Sequence, residues 1–197
     1  VPYPLQDSSE SAEMATYCEK LHKFLHEKLN PDTVDREAII PEEVIHGLGD
    51  IGMLGFTVDK RYGGLGRSQA SYCQAMEILA ARCGGTAVFV NAHHSIGLRA
   101  IELYGSEEQK ERWLPALASG RKLAAFALTE PEAGSDAGGV KTRAVYDAEK
   151  RVYRINGEKR WITNGGIAGV LTLMAQTEVQ TPNGTVDRVT AFLVEPG

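Results

Sequence analysis

Cysteine is scarce in this chain, with only Cys18, Cys73 and Cys83 among 197 residues. The three form no metal-ligand spacing and cannot all pair. Each lies in a segment that reads as helical, so buried, reduced thiols are expected, as in a cytosolic or matrix compartment. Basic blocks are also missing: 21 Lys and Arg against 26 Asp and Glu give a net charge of −5. That balance argues against a nucleic-acid or anionic-membrane surface, so positive charge for an anionic ligand must be local. No run of about 18 apolar residues occurs. The richest stretch, 86–103, is interrupted by His93, His94 and Arg99. A secretory signal pattern, internal repeats and low-complexity tracts are lacking too. The chain begins at Val1 rather than Met, which leaves room for processing upstream. What remains is ordinary globular composition, 43% hydrophobic and 24% charged, in a length that permits one large or two small domains.

Residues 1–121 read as helical. Met14, Tyr17, Leu21, Phe24, Leu25 and Leu29 make a helical stripe that opens near Ser8 and stops at Asn30-Pro31. Pro41 precedes Glu42 and Glu43, at the positive end of the next helix. Ser68 opens a helix rich in strong formers, and 84–104, apolar on most faces, should be the central buried helix. Ser106 with Gln109 is a capping box. From Lys122 the period changes from 3.6 to 2. Strands are expected at 123–128, 140–146, 151–155, 158–163, 170–176 and 189–194. Asn156-Gly157 is a hairpin signal, and Asn183-Gly184 lies in a looser loop, 178–187. Helices followed by strands indicate an α+β protein of two domains, 1–121 and 122–197, rather than alternating βαβ units.

The block Ala127-Leu128-Thr129-Glu130-Pro131-Glu132-Ala133-Gly134-Ser135-Asp136 follows a strand with a loop of Thr, Pro, Gly, Ser and Asp. Backbone N–H groups in such a loop have no sheet partner and make an anion-binding nest. About thirty residues on, Lys159-Arg160-Trp161-Ile162-Thr163-Asn164-Gly165 places a flat ring and a hydroxyl two positions apart, on one face if the segment is a strand. One block suits a pyrophosphate and the other a planar heterocycle with hydrogen-bonding edges.

These blocks resemble the acyl-CoA dehydrogenase flavoprotein family. Further likenesses are Asp59-Lys60-Arg61-Tyr62-Gly63-Gly64-Leu65-Gly66, the run from Tyr104 to Lys110, Trp113-Leu114-Pro115 and Leu117-Ala118-Ser119-Gly120. His94-Ser95-Ile96-Gly97 and the 177–187 loop resemble the very-long-chain branch. The resemblance implies an amino-terminal helical domain and an incomplete antiparallel, β-barrel-like middle domain that binds FAD. It also implies that the chain is the amino-terminal portion of a longer polypeptide, whose missing helical domain carries the catalytic base. The family's reaction removes the α-proton of an acyl-CoA with a carboxylate while the β-hydride goes to flavin, giving a trans-2-enoyl-CoA in fatty-acid β-oxidation.

Carried over residue by residue, Thr129 meets the flavin pyrimidine edge, Gly134 and Ser135 the pyrophosphate, and Trp161, Ile162 and Thr163 the isoalloxazine. Main-chain groups at Phe126 and Leu128 complete the cofactor set. Ser135, Val88, Phe89 and Ala92 are the substrate-side candidates. The resemblance further implies electron-transferring flavoprotein as acceptor and a homodimer or homotetramer, in the cytoplasm of a bacterium or the mitochondrial matrix of a eukaryote. Because the resemblance implies a base elsewhere, Glu130 reads as loop scaffold and Asp136 as a turn-stabilising side chain; Met53 and Met174 read as core filler. No metal is expected: adjacent His93 and His94 point about 100° apart on a helix and share no small site. Two rivals stay open, an acyl-CoA oxidase or nitroalkane-oxidase type of enzyme and a scaffold protein on the same fold.

Overall fold

The computed structural model describes residues 8–196. The chain divides into two compact units, Val1–Leu123 and Ala124–Gly197.

The first unit is built from α1 (Ser8–Lys28), α2 (Pro31–Glu37), α3 (Glu42–Asp50), α4 (Gln69–Arg82), α5 (Gly84–Asn91), α6 (Arg99–Tyr104) and α7 (Glu107–Ala118). The stripe on α1 is buried at Met14, Tyr17, Leu21 and Leu25, with Leu29 just beyond the helix end. Each fully buried Leu contributes about 1.5–3 kcal/mol of transfer free energy. Polar ties fix the helices around this core. Glu10 Oε1 accepts from Ser68 N at 2.8 Å and Ser71 Oγ at 2.7 Å, joining α1 to the start of α4. The capping box forms as expected: Gln109 N donates to Ser106 Oγ at 3.2 Å, and Ser106 N donates to Gln109 Oε1 at 2.9 Å.

Residues 84–104 stay helical throughout but are not one α-helix. Ala92–Leu98 forms a π-helix between α5 and α6. One side of the rod is open, with Val88, Ile96, Leu103 and Tyr104 exposed. The cysteines also differ from expectation: Cys83 is buried, Cys18 half-buried and Cys73 exposed. Cys83 lies at the α4–α5 junction in extended backbone (φ −156°, ψ 107°), where its Sγ accepts from Thr86 Oγ1 at 3.2 Å. Of the two methionines, Met53 is fully buried and Met174 half-buried.

The second unit is an open sheet of β1 (Ala124–Ala127), β2 (Arg143–Asp147), β3 (Val152–Asn156), β4 (Val170–Thr181) and β5 (Gly184–Val194). The expected helices followed by an incomplete sheet are present, and the pairing is mixed: β1 and the first residue of β2 run parallel to β4, while β2–β3 and β4–β5 are antiparallel. β1 and β2 lie end to end along one edge of β4, with Ala127 opposite Leu173 and Arg143 opposite Gln176. Arg143 reaches across to Asp187 of β5 with two bonds of 2.9 Å. The β2–β3 hairpin then leaves β4, and Tyr153 meets Phe192 edge-on at 5.0 Å.

Two turn expectations are corrected. β3 ends at Asn156 and the next strand, β4, begins only at Val170, so Asn156-Gly157 is not a hairpin turn. The tight hairpin is instead at Pro182-Asn183, where β4 and β5 pair in register out to Thr181 opposite Gly184, and residues 178–187 are mostly strand.

Candidate functional site

The 128–142 loop departs from the edge of β4 where β1 ends and returns where β2 begins. Its neck is closed by one carboxylate. Glu130 Oε2 accepts from Lys141 N at 2.5 Å, and Oε1 accepts from Thr142 N at 3.0 Å and Lys159 Nζ at 2.8 Å. Burial works to raise the Glu130 pKa, but the Lys159 ammonium and the donors of Thr142 and Lys141 win and bring it to about 2. At the far side of the loop, Gln176 Nε2 donates to Gly138 O at 3.1 Å and Gln176 N to Thr142 O at 2.8 Å.

The 157–163 segment docks against the start of this loop. A Cβ at Gly157 would lie 2.2 Å from Thr142 Oγ1, so the close approach of the two backbones requires glycine. Lys159 Nζ donates to Leu128 O at 2.8 Å, and Arg160 N donates to Thr129 O at 2.8 Å. The strand expected at 158–163 is absent, and with it the argument that Trp161 and Thr163 share a strand face. Trp161 instead has φ +59° and Asn164 φ +65°. Left-handed backbone at a bulky aromatic is costly and persists only where the surroundings impose it. The Trp161 side chain is 87% exposed, so it is no core residue.

The structure thus brings together the blocks around Thr129 and Trp161. Phe126, Leu128, Thr129 and Ile162 are half-buried, while Gly134, Ser135, Asp136 and Thr163 are exposed. Beyond its chain neighbours, a Cβ added at Gly134 would have only Thr129 Cγ2 within 4 Å, at 4.0 Å, among the described residues. On α5 and the π-helix, Phe89 and Ala92 are buried and Val88 is 58% exposed.

The model of the acyl-CoA dehydrogenase N-terminal domain matches residues 11–121, and that of the acyl-CoA dehydrogenase middle domain matches residues 125–197. The chain belongs to the acyl-CoA dehydrogenase family. It is 39% identical to the mitochondrial very long-chain specific acyl-CoA dehydrogenase of Macaca fascicularis, over all of this chain and 30% of that protein. It is 40% identical to the short-chain specific acyl-CoA dehydrogenase of Clostridium acetobutylicum, over 83% of this chain and 42% of that protein. Among solved structures, an acyl-CoA dehydrogenase complexed with FAD from Bacillus anthracis superposes with a TM-score of 0.80 at 37% identity, covering 93% of this chain and 31% of that one. The chain therefore spans under a third of the length of the first of these relatives.

Both histidines of the pair are buried. His94 Nε2 accepts from Thr57 N at 3.1 Å, and its ring stacks on Tyr72 at 4.3 Å. Burial pushes His93 down to about 4 and His94 to about 3, both neutral at physiological pH. The sequence reading missed the Glu130–Lys159 ion pair. Lys159 stands two residues before Trp161, and a lysine in a presumed exposed strand gives no local sign of a partner 29 residues back. Among the described residues no helix is long and apolar enough to cross a membrane.

Proposed function

We propose that the protein is an FAD-dependent acyl-CoA dehydrogenase converting acyl-CoA thioesters to trans-2-enoyl-CoA. This chain contributes the amino-terminal helical domain, 1–121, and part of the flavin-binding β domain, 122–197. The observation that carries the reading is the docking of the two cofactor blocks through Arg160 N and Thr129 O, 2.8 Å apart, within a fold of this family.

The residues present suit the cofactor. Gly134 has no positive φ, and a Cβ there would touch no protein atom closer than 4.0 Å. The fold itself does not demand glycine at that place, whereas a pyrophosphate approaching the backbone does. Bound FAD would supply the redox chemistry. Gly134 and Ser135 hold the pyrophosphate; the Thr129 hydroxyl and main-chain groups at Phe126 and Leu128 meet the pyrimidine side. Trp161 and Ile162 pack on the ring, and the Thr163 hydroxyl donates at the edge where charge develops. Ser135 also faces the thioester ligand, with Phe89, Ala92 and Val88 as acyl-side candidates. Glu130 is committed to Lys159 and two amides and takes no part in proton abstraction; the base is assigned to no residue here. Electron-transferring flavoprotein is the acceptor, and the enzyme is a homodimer or homotetramer, bacterial cytoplasmic or mitochondrial.

Purified full-length protein should show flavin absorbance that bleaches anaerobically with acyl-CoA and recovers slowly in air. A protein that holds no flavin and gains none on reconstitution defeats the reading. Fast reoxidation by oxygen would move it to the oxidase type.

A further inference from the structure

The Glu130–Lys159 pair is nearly sealed from water, with the Lys159 side chain 10% and the Glu130 side chain 5% exposed. A buried ion pair seldom outperforms two well-packed apolar residues in net stability, because both ions lose their hydration. This one is held by further hydrogen bonds, and three of its partners are backbone groups. Glu130 takes the amides of Lys141 and Thr142, and Lys159 spans from the Glu130 carboxylate to the Leu128 carbonyl. No β-ladder crosses the loop or reaches 157–163 among the described residues. Lys159 Nζ on Leu128 O and Glu130 Oε1, together with Arg160 N on Thr129 O, connect the pyrophosphate turn to the ring-edge segment.

We infer that Glu130 and Lys159 are a buried positioning pair, which clamps the 128–142 loop to the 157–163 segment so that Thr129, Ser135, Trp161 and Thr163 act as one preformed cofactor cradle. Neither residue touches the reacting atoms. The inference rests on the flavoenzyme reading above. Removing the ammonium leaves a buried carboxylate short of its counter-charge and frees the Leu128 carbonyl. The loop neck then relaxes, and the strained backbone at Trp161 loses an anchor two residues away.

The test compares wild-type full-length protein with Lys159→Met, with Glu130→Gln, and with the milder Lys159→Gln, which keeps a donor. Amide hydrogen exchange over 131–140 in the apoprotein should quicken in the variants, with Lys159→Gln intermediate. FAD titration of the apoproteins should give a Kd raised at least about tenfold for Lys159→Met. The visible circular dichroism of the flavin still bound should change, a signal that a general loss of stability does not move. Unchanged exchange, affinity and flavin dichroism, with or without a lower Tm, overturn the positioning role. Wild-type protein that takes up no FAD overturns the flavoenzyme reading, and the cofactor role of the pair with it.

Discussion

The amide of Arg160 donates to the carbonyl of Thr129 at 2.8 Å, joining two segments 31 residues apart, neither of which is a strand. Replacing Arg160 by proline deletes this donor and leaves Thr129 O unpaired. The direct cost is about 1–3 kcal/mol in the β domain. The larger expected effect is on flavin retention, since Trp161 is the next residue. Gel filtration of Arg160→Pro should strip FAD that wild-type protein keeps; equal retention would separate this contact from cofactor binding.

Gly157 and Gly134 should respond oppositely to alanine. A Cβ at Gly157 collides with Thr142 Oγ1 at 2.2 Å, whereas one at Gly134 meets only open space and Thr129 at 4.0 Å. Gly157→Ala should therefore destabilise the protein by about 1–3 kcal/mol through overpacking. Gly134→Ala should leave Tm unchanged and weaken FAD binding, because the space it fills belongs to the ligand. A Gly134→Ala protein with normal flavin affinity would remove this residue from the pyrophosphate site.

The buried histidines set an acid limit on stability. Burial lowers His93 to about 4 and His94 to about 3, from 6.5. Contacts with the Leu117 and Leu54 backbone pull His93 the other way, while the charges of His93 and Arg99 depress His94 further. The unfolded chain thus binds protons below pH 6.5 that the folded chain refuses until pH 4 to 3. Stability is full above 6.5 and falls as pH drops through that window. Between pH 7.5 and 5 each histidine should cost about 2 kcal/mol. Denaturant melts at the two pH values read the slope directly. His94→Gln, which can still accept from Thr57 N, should remove about half of it; a flat profile in wild-type protein rules out neutral buried imidazoles.

Much of the helical unit was legible because its signals are local. The stripe from Met14 to Leu29 and the Ser106–Gln109 box need only 3.6-residue spacing and side-chain chemistry. The apolar run 84–104 betrayed its helix but not the π-turns at 92–98, since composition does not report a change of hydrogen-bond step. In the β unit, alternation located β1, β2, β3, β4 and the end of β5. It failed at 158–163, where Arg160, Trp161 and Thr163 face a loop and open space instead of a sheet. Gly157 resembled a hairpin residue for a different physical cause, the backbone pressed against Thr142. Long-range pairs such as Glu130 with Lys159 leave no trace at short spacing.

Thr163 is exposed, at the end of a segment held by Lys159 and Arg160, and is proposed to donate a hydrogen bond where charge grows on the flavin edge. Losing one preorganised donor of that kind costs on the order of 3 kcal/mol in the transition state. Thr163→Ala should therefore slow flavin reduction by acyl-CoA about 100-fold or more in stopped flow, with FAD still bound. Thr163→Ser should keep most of the rate. An alanine variant reduced as fast as wild type would show that the hydroxyl is not part of the reductive step.

The acyl-chain preference is a separate question from the chemistry, and the relatives leave it open, with 39% identity to a very long-chain specific enzyme and 40% to a short-chain specific one. The features expected to favour longer substrates are the 177–187 segment and the rod that carries His94–Gly97. Ala92 is a small buried residue at the start of the π-helical turns, Gly97 is buried within them, and Val88 leaves its side of the rod open. Small groups there are proposed to admit methylenes, and each buried CH₂ of substrate is worth about 0.8 kcal/mol. Wild-type enzyme should accordingly show kcat/KM rising from butyryl- to octanoyl- to palmitoyl-CoA. Ala92→Phe should lower the palmitoyl value while sparing butyryl-CoA, because added volume on a wall excludes only chains long enough to reach it. A wild-type preference for butyryl-CoA, or equal losses on all three substrates in Ala92→Phe, would take this rod out of the specificity argument.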